Sequence, residues 1–249
     1  MSMLIINADD LGRTTAATDN IIVCFQRRLI TSASAMVFMK DSQRAAESAI
    51  AAGLETGLHL NLDLFFDKSG LPPRLREYHD PVVRFLRRGK WAQLLYNPFL
   101  RKKFAYVFNA QYDEYCRLYG REPAKIDGHH HMHLCMNIII DHIIPSGLRI
   151  RRNSSFVPGE KGIINRSYRR LLDILLIRRY CCTDWFFNIE PINDSNRLER
   201  VVRLASSSNV ELVVHPAKTE QYVYLKSSYY RDLIAAVAKG TYSILSNLF

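Results

Sequence analysis

Short apolar runs alternate with helical patterns over the first part of the chain. Apolar side chains in 18–29 recur at helical spacing, and 42–52 is an alanine-rich segment closed by Gly53. Apolar runs at 4–6 and 34–39 precede these two segments, and 55–62 after them is a third strand candidate. Continuous runs of this length are typical of parallel strands that are buried on both faces. Three strand–helix units in succession therefore predict an α/β fold with a parallel sheet.

The pattern changes in 81–119, where aromatic and basic side chains become frequent. We expect helices here, broken around Asn97 and Pro98, as an excursion from the sheet that covers one rim. Beyond it the predicted strands are 125–127, 147–152, 185–189 and 211–214, and the predicted helices are 163–180, 198–206 and 229–239. Because no repeat or linker divides the chain, we expect one domain over residues 1–249.

The composition fits a folded globular protein that works inside the cell. Apolar residues make up 48% and charged residues 23% of the chain, which is ordinary for such proteins. The first residues lack the basic and apolar regions of a signal peptide, and no apolar run is long enough to span a bilayer. The five cysteines lack metal-finger spacing, which is typical of reduced thiols. We therefore expect a cytoplasmic location.

The net charge of +10 comes from two segments. Residues 84–103 carry +7 without any acid, and residues 161–180 carry +5. One interpretation is a pair of solvated helix faces. The other is attraction to a phosphate-bearing substrate or to an anionic membrane, with peripheral association at the inner membrane surface. Nucleic acid is not expected because no binding motif accompanies the charge, and a homodimer stays open.

Four histidines lie within five residues in the middle of the chain. They are His129, His130, His131 and His133. Imidazole is the commonest metal ligand among side chains, and no structural need explains this density. On an extended backbone the first, third and fourth of these histidines share a face; on a helix the first and last lie one turn apart. In neither case can all four bind one metal.

Similar polar residues follow other predicted strands. They are Asp9 and Asp10, His59 and His215. The carboxyl ends of the strands in a parallel barrel form the rim where catalytic groups converge. Asp10, His59 and one histidine of the cluster would supply a carboxylate and two imidazoles, with positions open for water. The sequence thus predicts a hydrolytic metal centre, although His59 alone could be structural and the aspartate pair alone a turn or helix cap.

Four motifs resemble the signatures of the YdjC-like carbohydrate deacetylases, a family that includes chitooligosaccharide deacetylases and the deacetylase of hopanoid biosynthesis. They are NADDLG at 7–12, TGLHLNL at 56–62, DGHHHMH at 127–133 and VHP at 214–216. The motifs occur in the family's order and extend over most of the chain. Leu11 and Gly128 depart from the family pattern, which commonly has Phe and Ser there.

The resemblance implies a distorted (β/α) barrel of the glycoside hydrolase/deacetylase type. It also implies removal of an N-acetyl group from an amino sugar with the help of one divalent metal ion. By motif position, Asp10, His59 and His129 resemble the metal ligands. Asp9 resembles the general base, and His215 resembles the acid that protonates the departing amine.

The remaining candidates surround this centre. Asp127 could orient a histidine from behind, and His131 and His133 are free for substrate contacts or support. Arg149 could contact substrate or form a structural ion pair. The metal stays open between Zn²⁺, which suits imidazole, and Mg²⁺, which prefers oxygen.

Two other functions compete with the deacetylase interpretation. A glycoside hydrolase on a similar barrel needs two separated carboxylates, which the adjacent Asp9 and Asp10 satisfy poorly. A non-catalytic metal- or sugar-binding protein would use the same ligands without turnover. The substrate is also open among chitin-derived, lipid-linked and phosphate-bearing N-acetylated sugars, and the basic aromatic segments favour the latter two.

Overall fold

A parallel sheet forms the centre of the fold. The computed structural model describes residues 2–89, 91–155, 162–192 and 194–245. The strands in these residues are β1 (Met3–Leu11), β2 (Ser32–Ala35), β3 (Glu55–Leu60), β4 (Ile126–Gly128), β5 (Trp185–Asn188) and β6 (Asn209–Val214). They lie in the order β4-β3-β2-β1-β6-β5, and every neighbouring pair is parallel. The predicted α/β class is confirmed.

Helices connect the strands and cover the sheet. They are α1 (Thr15–Gln26), α2 (Ser42–Ala52), α3 (Pro73–Leu86), α4 (Arg101–Tyr119), α5 (Met136–Ile140), α6 (Ile163–Ile177), α7 (Ser195–Ala205), α8 (Thr219–Leu225) and α9 (Ser228–Ala235). Local chemistry sets their ends. The Thr14 hydroxyl accepts a hydrogen bond from the Ala17 backbone N–H at 3.2 Å before α1, and Gly53 ends α2 with a φ of 70°. None of the described helices is long and apolar enough to cross a membrane.

The apolar runs form strands because both faces of the sheet are covered. β1 lies in the interior of the sheet, between β2 and β6, and is buried along its whole length. Its residues Leu4, Ile5 and Ile6 are fully shielded from solvent. A strand in this position needs apolar side chains on both faces, which explains a continuous run instead of an alternating one.

The segment 147–155 closes the barrel between β4 and β5. Ile150 forms an isolated bridge with Ile126 of β4, and Arg149 forms another with Cys181. Further along, the Ser155 N–H donates to the Phe186 carbonyl at 2.8 Å. The prediction of a short strand at 147–152 is wrong, because these residues form only isolated bridges. The neighbouring strand β4 is three residues long and offers few backbone partners for a longer one. The result is a distorted barrel, as expected.

The helical excursion between β3 and β4 begins earlier than predicted. α3 begins at Pro73, a position where the missing N–H of proline costs nothing, so Pro81 lies inside this helix instead of before it. The expected break between the helices is confirmed. The Asn97 side chain accepts a hydrogen bond from the Phe99 N–H at 3.1 Å and starts a short 3₁₀ turn ahead of α4.

A buried histidine in α3 makes the stability of the fold depend on pH. The His79 ring is stacked on Phe66 with centroids 3.7 Å apart, and its Nε2–H donates to the Asn61 carbonyl at 3.1 Å. Burial lowers the pKa of His79 from 6.5 to about 4. Between these values the unfolded chain binds more protons than the folded chain, so stability falls as the pH drops from about 6.5 to 4. We expect this histidine to account for up to about 3 kcal/mol of that loss.

Urea unfolding of the His79→Phe variant over this pH window checks the prediction. The variant keeps an aromatic ring beside Phe66 but cannot titrate, so its free energy of unfolding should change less with pH than that of the wild type. Exposed His142 offers a matched control, and His142→Asn should keep the wild-type slope. An unchanged slope in His79→Phe would contradict the prediction.

Candidate functional site

The carboxyl ends of four parallel strands place the predicted site residues at one rim of the barrel. They are Asp9 and Asp10 in β1, His59 in β3, His129 after β4 and His215 after β6. The distance from Asp10 Oδ1 to His59 Nε2 is 3.6 Å. The distance from Asp9 Oδ2 to His215 Nε2 is 3.8 Å. Residues as far apart in the sequence as Asp9 and His215 thus meet through the parallel topology.

An irregularity in β1 lets both aspartates face this rim. Adjacent side chains of a regular strand point to opposite faces. Here the register of β1 against β2 shifts between Ala8 and Leu11, and Asp10 has a φ of 73°. This left-handed conformation is uncommon for a residue other than glycine and is found where a site requires it. The carboxylates of both Asp9 and Asp10 thus lie near His59, with Asp10 Oδ1 3.6 Å from its Nε2 and an oxygen of Asp9 within 4.8 Å of the ring.

His59 is oriented by a buried carboxylate. Its Nδ1 lies 2.7 Å from Asp127 Oδ1, which leaves Nε2 facing Asp10. A carboxylate behind a histidine in this way fixes the ring and its tautomer. Burial by itself lowers the pKa of His59, but the Asp9 and Asp127 carboxylates raise it above its ordinary value. This position therefore attracts positive charge.

His129 is held by an acid that sequence reasoning missed. Its Nδ1 lies 2.8 Å from Asp63 Oδ1, and the Nδ1 of His130 lies 2.6 Å from Asp63 Oδ2. Burial raises the pKa of Asp63, but the hydrogen bonds from both histidines bring it well below its usual range. Asp63 follows the end of β3, so its place beyond a predicted strand was the available signal. The Nε2 atom of His129 is left facing the site.

A cationic side chain already lies between two of the predicted ligands. The Arg13 Nη1 atom is 3.1 Å from Asp10 Oδ2 and 3.5 Å from His129 Nε2. The other oxygen of Asp10, Oδ1, is buried without a hydrogen-bond partner among the described residues. A buried carboxylate oxygen needs a donor or a metal ion. The donor set of Asp10, His59 and His129 therefore fits a divalent cation.

The histidine cluster follows neither of the predicted geometries. His130 and His131 have φ values of 49° and 61°, so the backbone turns and the rings diverge. The His131 ring lies 5.6 Å from the ring of Phe186. His133 Nε2–H donates to the Arg151 carbonyl at 3.0 Å. Burial lowers the pKa of His131 to about 3 and that of His133 to about 4, so both are neutral at pH 7.

The two departures from the family motifs lie in packed positions. A Cβ atom at Gly128 would come within 2.7 Å of the His133 backbone nitrogen, so glycine fits the tight turn in this chain. Leu11 is fully buried in the core. Neither position supplies a ligand atom.

A buried ion-pair network supports the aspartates from behind. The two Nη atoms of Arg151 donate to the two oxygens of Asp9, each at 2.7 Å. The same guanidinium contacts Glu211 through Nε at 2.8 Å and Asp127 through Nη2 at 2.7 Å. Lys125 joins Asp127 at 2.6 Å and Glu211 at 2.7 Å. Bidentate contacts of this kind fix the position of a carboxylate.

The charges of this region favour an added cation. The network contains three buried carboxylates against two buried cations. Asp10 and Asp63 add two more buried acids, and the partly exposed Arg13 adds one cation beside Asp10. Burial raises the pKa of Asp9, but the Arg151 and His59 charges lower it far below its usual range, so it is ionised. An excess of buried negative charge is costly unless a positive partner balances it.

His215 lies at the open side of the site. Its backbone N–H donates to Gln221 Oε1 at 2.6 Å, and its Nδ1 is buried without a hydrogen-bond partner among the described residues. Burial lowers the pKa of His215, although Asp9 and Asp10 act in the opposite direction. The ring is therefore neutral at pH 7, with Nε2 near Asp9.

A groove of about 930 Å³ opens next to these residues. His131 and Gln221, the partner of His215, both line it. Its wall contains hydroxyl, amide and charged groups as well as apolar ones, among them Ser154, Asn188 and Glu190. A lining of this kind offers hydrogen bonds to a ligand rich in hydroxyl groups.

The arginine at the site is not the one that the sequence suggested. Arg149 donates to the Leu245 carbonyl at 3.4 Å and does not join the rim. Arg151, two residues later, holds Asp9 instead. Three arginines stand at 149, 151 and 152 in this segment, and no sequence signal distinguishes the inward one.

In the described residues, two groupings of ligand-type atoms lie within 4.8 Å of one another, and neither is the set of Asp10, His59 and His129. They are Asp63 with His129 and His130, and Asp9 with His59 and Asp127. Their closest contacts are the carboxylate–imidazole hydrogen bonds through Nδ1 described above. Since these contacts occupy the Nδ1 atoms, the Nε2 atoms of His59 and His129 remain for a metal.

The chain is similar to known proteins over most of its length. The family model described as YdjC-like protein matches residues 3–240. The chitooligosaccharide deacetylase of Serratia marcescens is 26% identical over 236 residues, which cover 91% of this chain and 86% of the relative. The chitooligosaccharide deacetylase of Escherichia fergusonii is 30% identical over 168 residues, or 64% of each chain.

The fold is also found among solved structures. A candidate cellobiose-phosphate cleavage protein from Enterococcus faecalis V583 superposes with a TM-score of 0.68 at 22% identity. The superposition covers 99% of both chains. At 22% identity this similarity is evidence of a shared fold and of nothing more.

Proposed function

Because the chain belongs to the YdjC-like family, we propose that it is a metal-dependent carbohydrate deacetylase that removes an N-acetyl group from an amino sugar. The names of the curated relatives support the reaction class. One observation carries the proposal: Asp10 Oδ1 is buried without a hydrogen-bond partner in the described part of the chain and lies 3.6 Å from His59 Nε2. This is a place for a cation at the rim of a barrel.

Asp10, His59 and His129 would hold the ion. When bound, a divalent cation polarises the amide carbonyl and lowers the pKa of a water enough for a weakly basic carboxylate to take its proton. A carboxylate with two imidazoles suits Zn²⁺, while Mg²⁺ would favour more oxygen ligands. Asp127 and Asp63 fix the two imidazoles from behind.

Asp9 is positioned to accept the proton of the attacking water. Its carboxylate is held by both Nη atoms of Arg151 and by the Asn7 amide at 2.8 Å, so it is ionised and cannot rotate away. This fixed geometry suits a general base, which must lie within hydrogen-bond reach of the proton that it takes. Asp9 is not needed as a ligand for this role.

His215 is positioned to deliver a proton to the departing amine. Its Nε2 lies 3.8 Å from Asp9 Oδ2, so the proton taken from water can pass to His215 and then to the sugar nitrogen. The C–N bond breaks as the nitrogen is protonated, which leaves acetate and a free amine. An amine leaves poorly without such a proton.

The groove beside His131 is where we place the sugar. Its hydroxyl, amide and carboxylate groups suit the hydroxyl groups of a saccharide. A chain of sugars longer than one unit fits a groove of about 930 Å³. Lipid-linked and phosphate-bearing sugars remain within this proposal, because their extra group would extend beyond the groove.

A glycoside hydrolase is disfavoured by the same geometry. That reaction needs two carboxylates on either side of a glycosidic bond. Here Arg151 binds both oxygens of Asp9, and Asp10 faces His59 and Arg13. A protein that only binds metal or sugar would use the same ligands but would have no need of the pair Asp9 and His215.

An assay of acetate release tests the proposed reaction. We expect the chain, supplied with Zn²⁺ or Mg²⁺, to release acetate and free amine in equal amounts from N-acetylated chitooligosaccharides. The fully deacetylated oligosaccharides serve as the control. New reducing ends without acetate would indicate a glycosidase, and binding without either product would indicate a non-catalytic protein.

A further inference from the structure

Large apolar side chains are exposed in the turn segment before α4. Trp91 is 73% exposed and Phe99 is 91% exposed, and Leu95 and Tyr96 between them are exposed as well. Isolated exposed apolar residues are ordinary, but a group of this kind marks a surface that contacts another protein or a membrane. Tryptophan and phenylalanine are also typical of membrane interfaces.

The outward side of α6 is apolar too. Leu171 is 59% exposed and Ile174 is also exposed, whereas Leu172 and Leu176 on the opposite side pack into the core. A helix that is apolar on both sides is expected where something covers each side. Within the described residues nothing covers the outer side of α6.

α5 connects these two apolar regions. Exposed Ile140 of α5 and Leu175 of α6 line one depression of about 400 Å³. At the end of α5, the Tyr96 hydroxyl donates to Asp141, the residue next to Ile140, at 2.9 Å. The segment 91–99, Ile140 and the outer side of α6 thus form one surface, which we name the apolar-basic face.

Basic side chains surround this face. Those flanking the segment 91–99 are Arg84, Arg87, Arg88, Arg101, Lys102 and Lys103, and those on or just after α6 are Arg170, Arg178 and Arg179. No acid lies in residues 84–103. Two of the nearby acids are paired, since Asp141 contacts Arg101 at 3.2 Å and Asp173 contacts Arg152 at 2.8 Å. The face therefore carries a net positive charge around an apolar centre.

We propose that the apolar-basic face docks onto the surface of an anionic lipid bilayer. The apolar side chains enter the region between headgroups and acyl chains, and the basic rim binds the lipid phosphates. A second copy of this chain fits the face poorly, because two such faces would bring their basic rims together. The charge complementarity favours anionic lipid. The proposal is independent of the deacetylase reaction.

Vesicle co-sedimentation of the full chain tests this docking. We expect binding to phosphatidylcholine vesicles with about 30% phosphatidylglycerol at low salt, and much weaker binding to pure phosphatidylcholine or at high salt. The double variant Trp91→Ser/Phe99→Ser should bind at least about tenfold more weakly, because it removes two large apolar side chains from the contact. Its far-UV spectrum and melting temperature should match those of the wild type.

Exposed apolar residues elsewhere provide the matched control. Ile50 and Val223 are 52% and 63% exposed and lie outside this face. The double variant Ile50→Ser/Val223→Ser should bind anionic vesicles as the wild type does. A Trp185→Phe chain retains Trp91 as its one tryptophan, and its emission should shift to the blue on binding.

Three results would overturn the proposal. The first is no binding to anionic vesicles at low salt. The second is equal binding by Trp91→Ser/Phe99→Ser and the control variant, which would place the contact elsewhere. The third is a stable dimer that dissociates in Trp91→Ser/Phe99→Ser while vesicles are not bound, which would make the face an interface between two copies.

Discussion

Replacing Asp9 with asparagine is expected to lower kcat for acetate release about 10²- to 10⁴-fold while the bound metal is retained. The amide keeps the size of the side chain and, through its one oxygen, one of the two hydrogen bonds from Arg151, but it cannot accept the proton of the attacking water. Asp9 is separate from the residues that would hold the ion. The loss should therefore fall on turnover and not on metal content.

Asp10→Asn is the matched variant, one residue along the same strand. It weakens the proposed metal site, because the unpartnered Oδ1 beside His59 becomes part of a neutral amide. We expect this variant to lose metal and activity together, and metal analysis beside the acetate assay separates the two variants. Loss of metal in Asp9→Asn, or its full retention in Asp10→Asn, would reverse the assigned roles.

Replacing Arg151 with methionine is expected to destabilise the fold by about 3–5 kcal/mol. The guanidinium is fully buried and contacts three carboxylates, those of Asp9, Asp127 and Glu211. Without it, Lys125 alone would face this buried negative charge. Urea unfolding at pH 7 measures the change in free energy.

Three further variants separate this effect from a general loss of packing. Arg149→Met changes a nearby arginine outside the network and should cost much less. Arg151→Lys should recover part of the stability. In a Glu211→Gln background, Arg151→Met should cost less than in the wild type, because one buried charge is already gone. Equal costs in both backgrounds would contradict the network as the source of stability.

The site residues at the strand ends could be predicted from the sequence, because the parallel topology and the chemistry of the side chains indicate the same rim. Asp10, His59 and His129 follow three separate apolar runs, and each run becomes a strand. Such a pattern needs no contact information, since a parallel sheet gathers the carboxyl ends of its strands at one edge. The helical excursion was also predictable, although α3 begins at Pro73, eight residues before the expected start.

Some of the supporting residues could not be predicted from the sequence. Arg151 and Arg149 are two positions apart in a segment that forms isolated bridges and no regular strand, so alternation could not assign the inward side chain. The directions of the rings in the histidine cluster depend on the left-handed conformations of His130 and His131. Neither an extended nor a helical backbone contains such conformations. Asp63 could have been found, because it too follows a predicted strand.

The central claim is that a divalent cation at Asp10, His59 and His129 is required for deacetylation. The most direct measurement removes metal with a chelator, then restores Zn²⁺ or Mg²⁺ in steps while bound metal and acetate release are followed together. We predict that acetate release disappears with the metal and returns in proportion to it, reaching its maximum at one ion per chain. Full acetate release by protein stripped of metal would contradict the account.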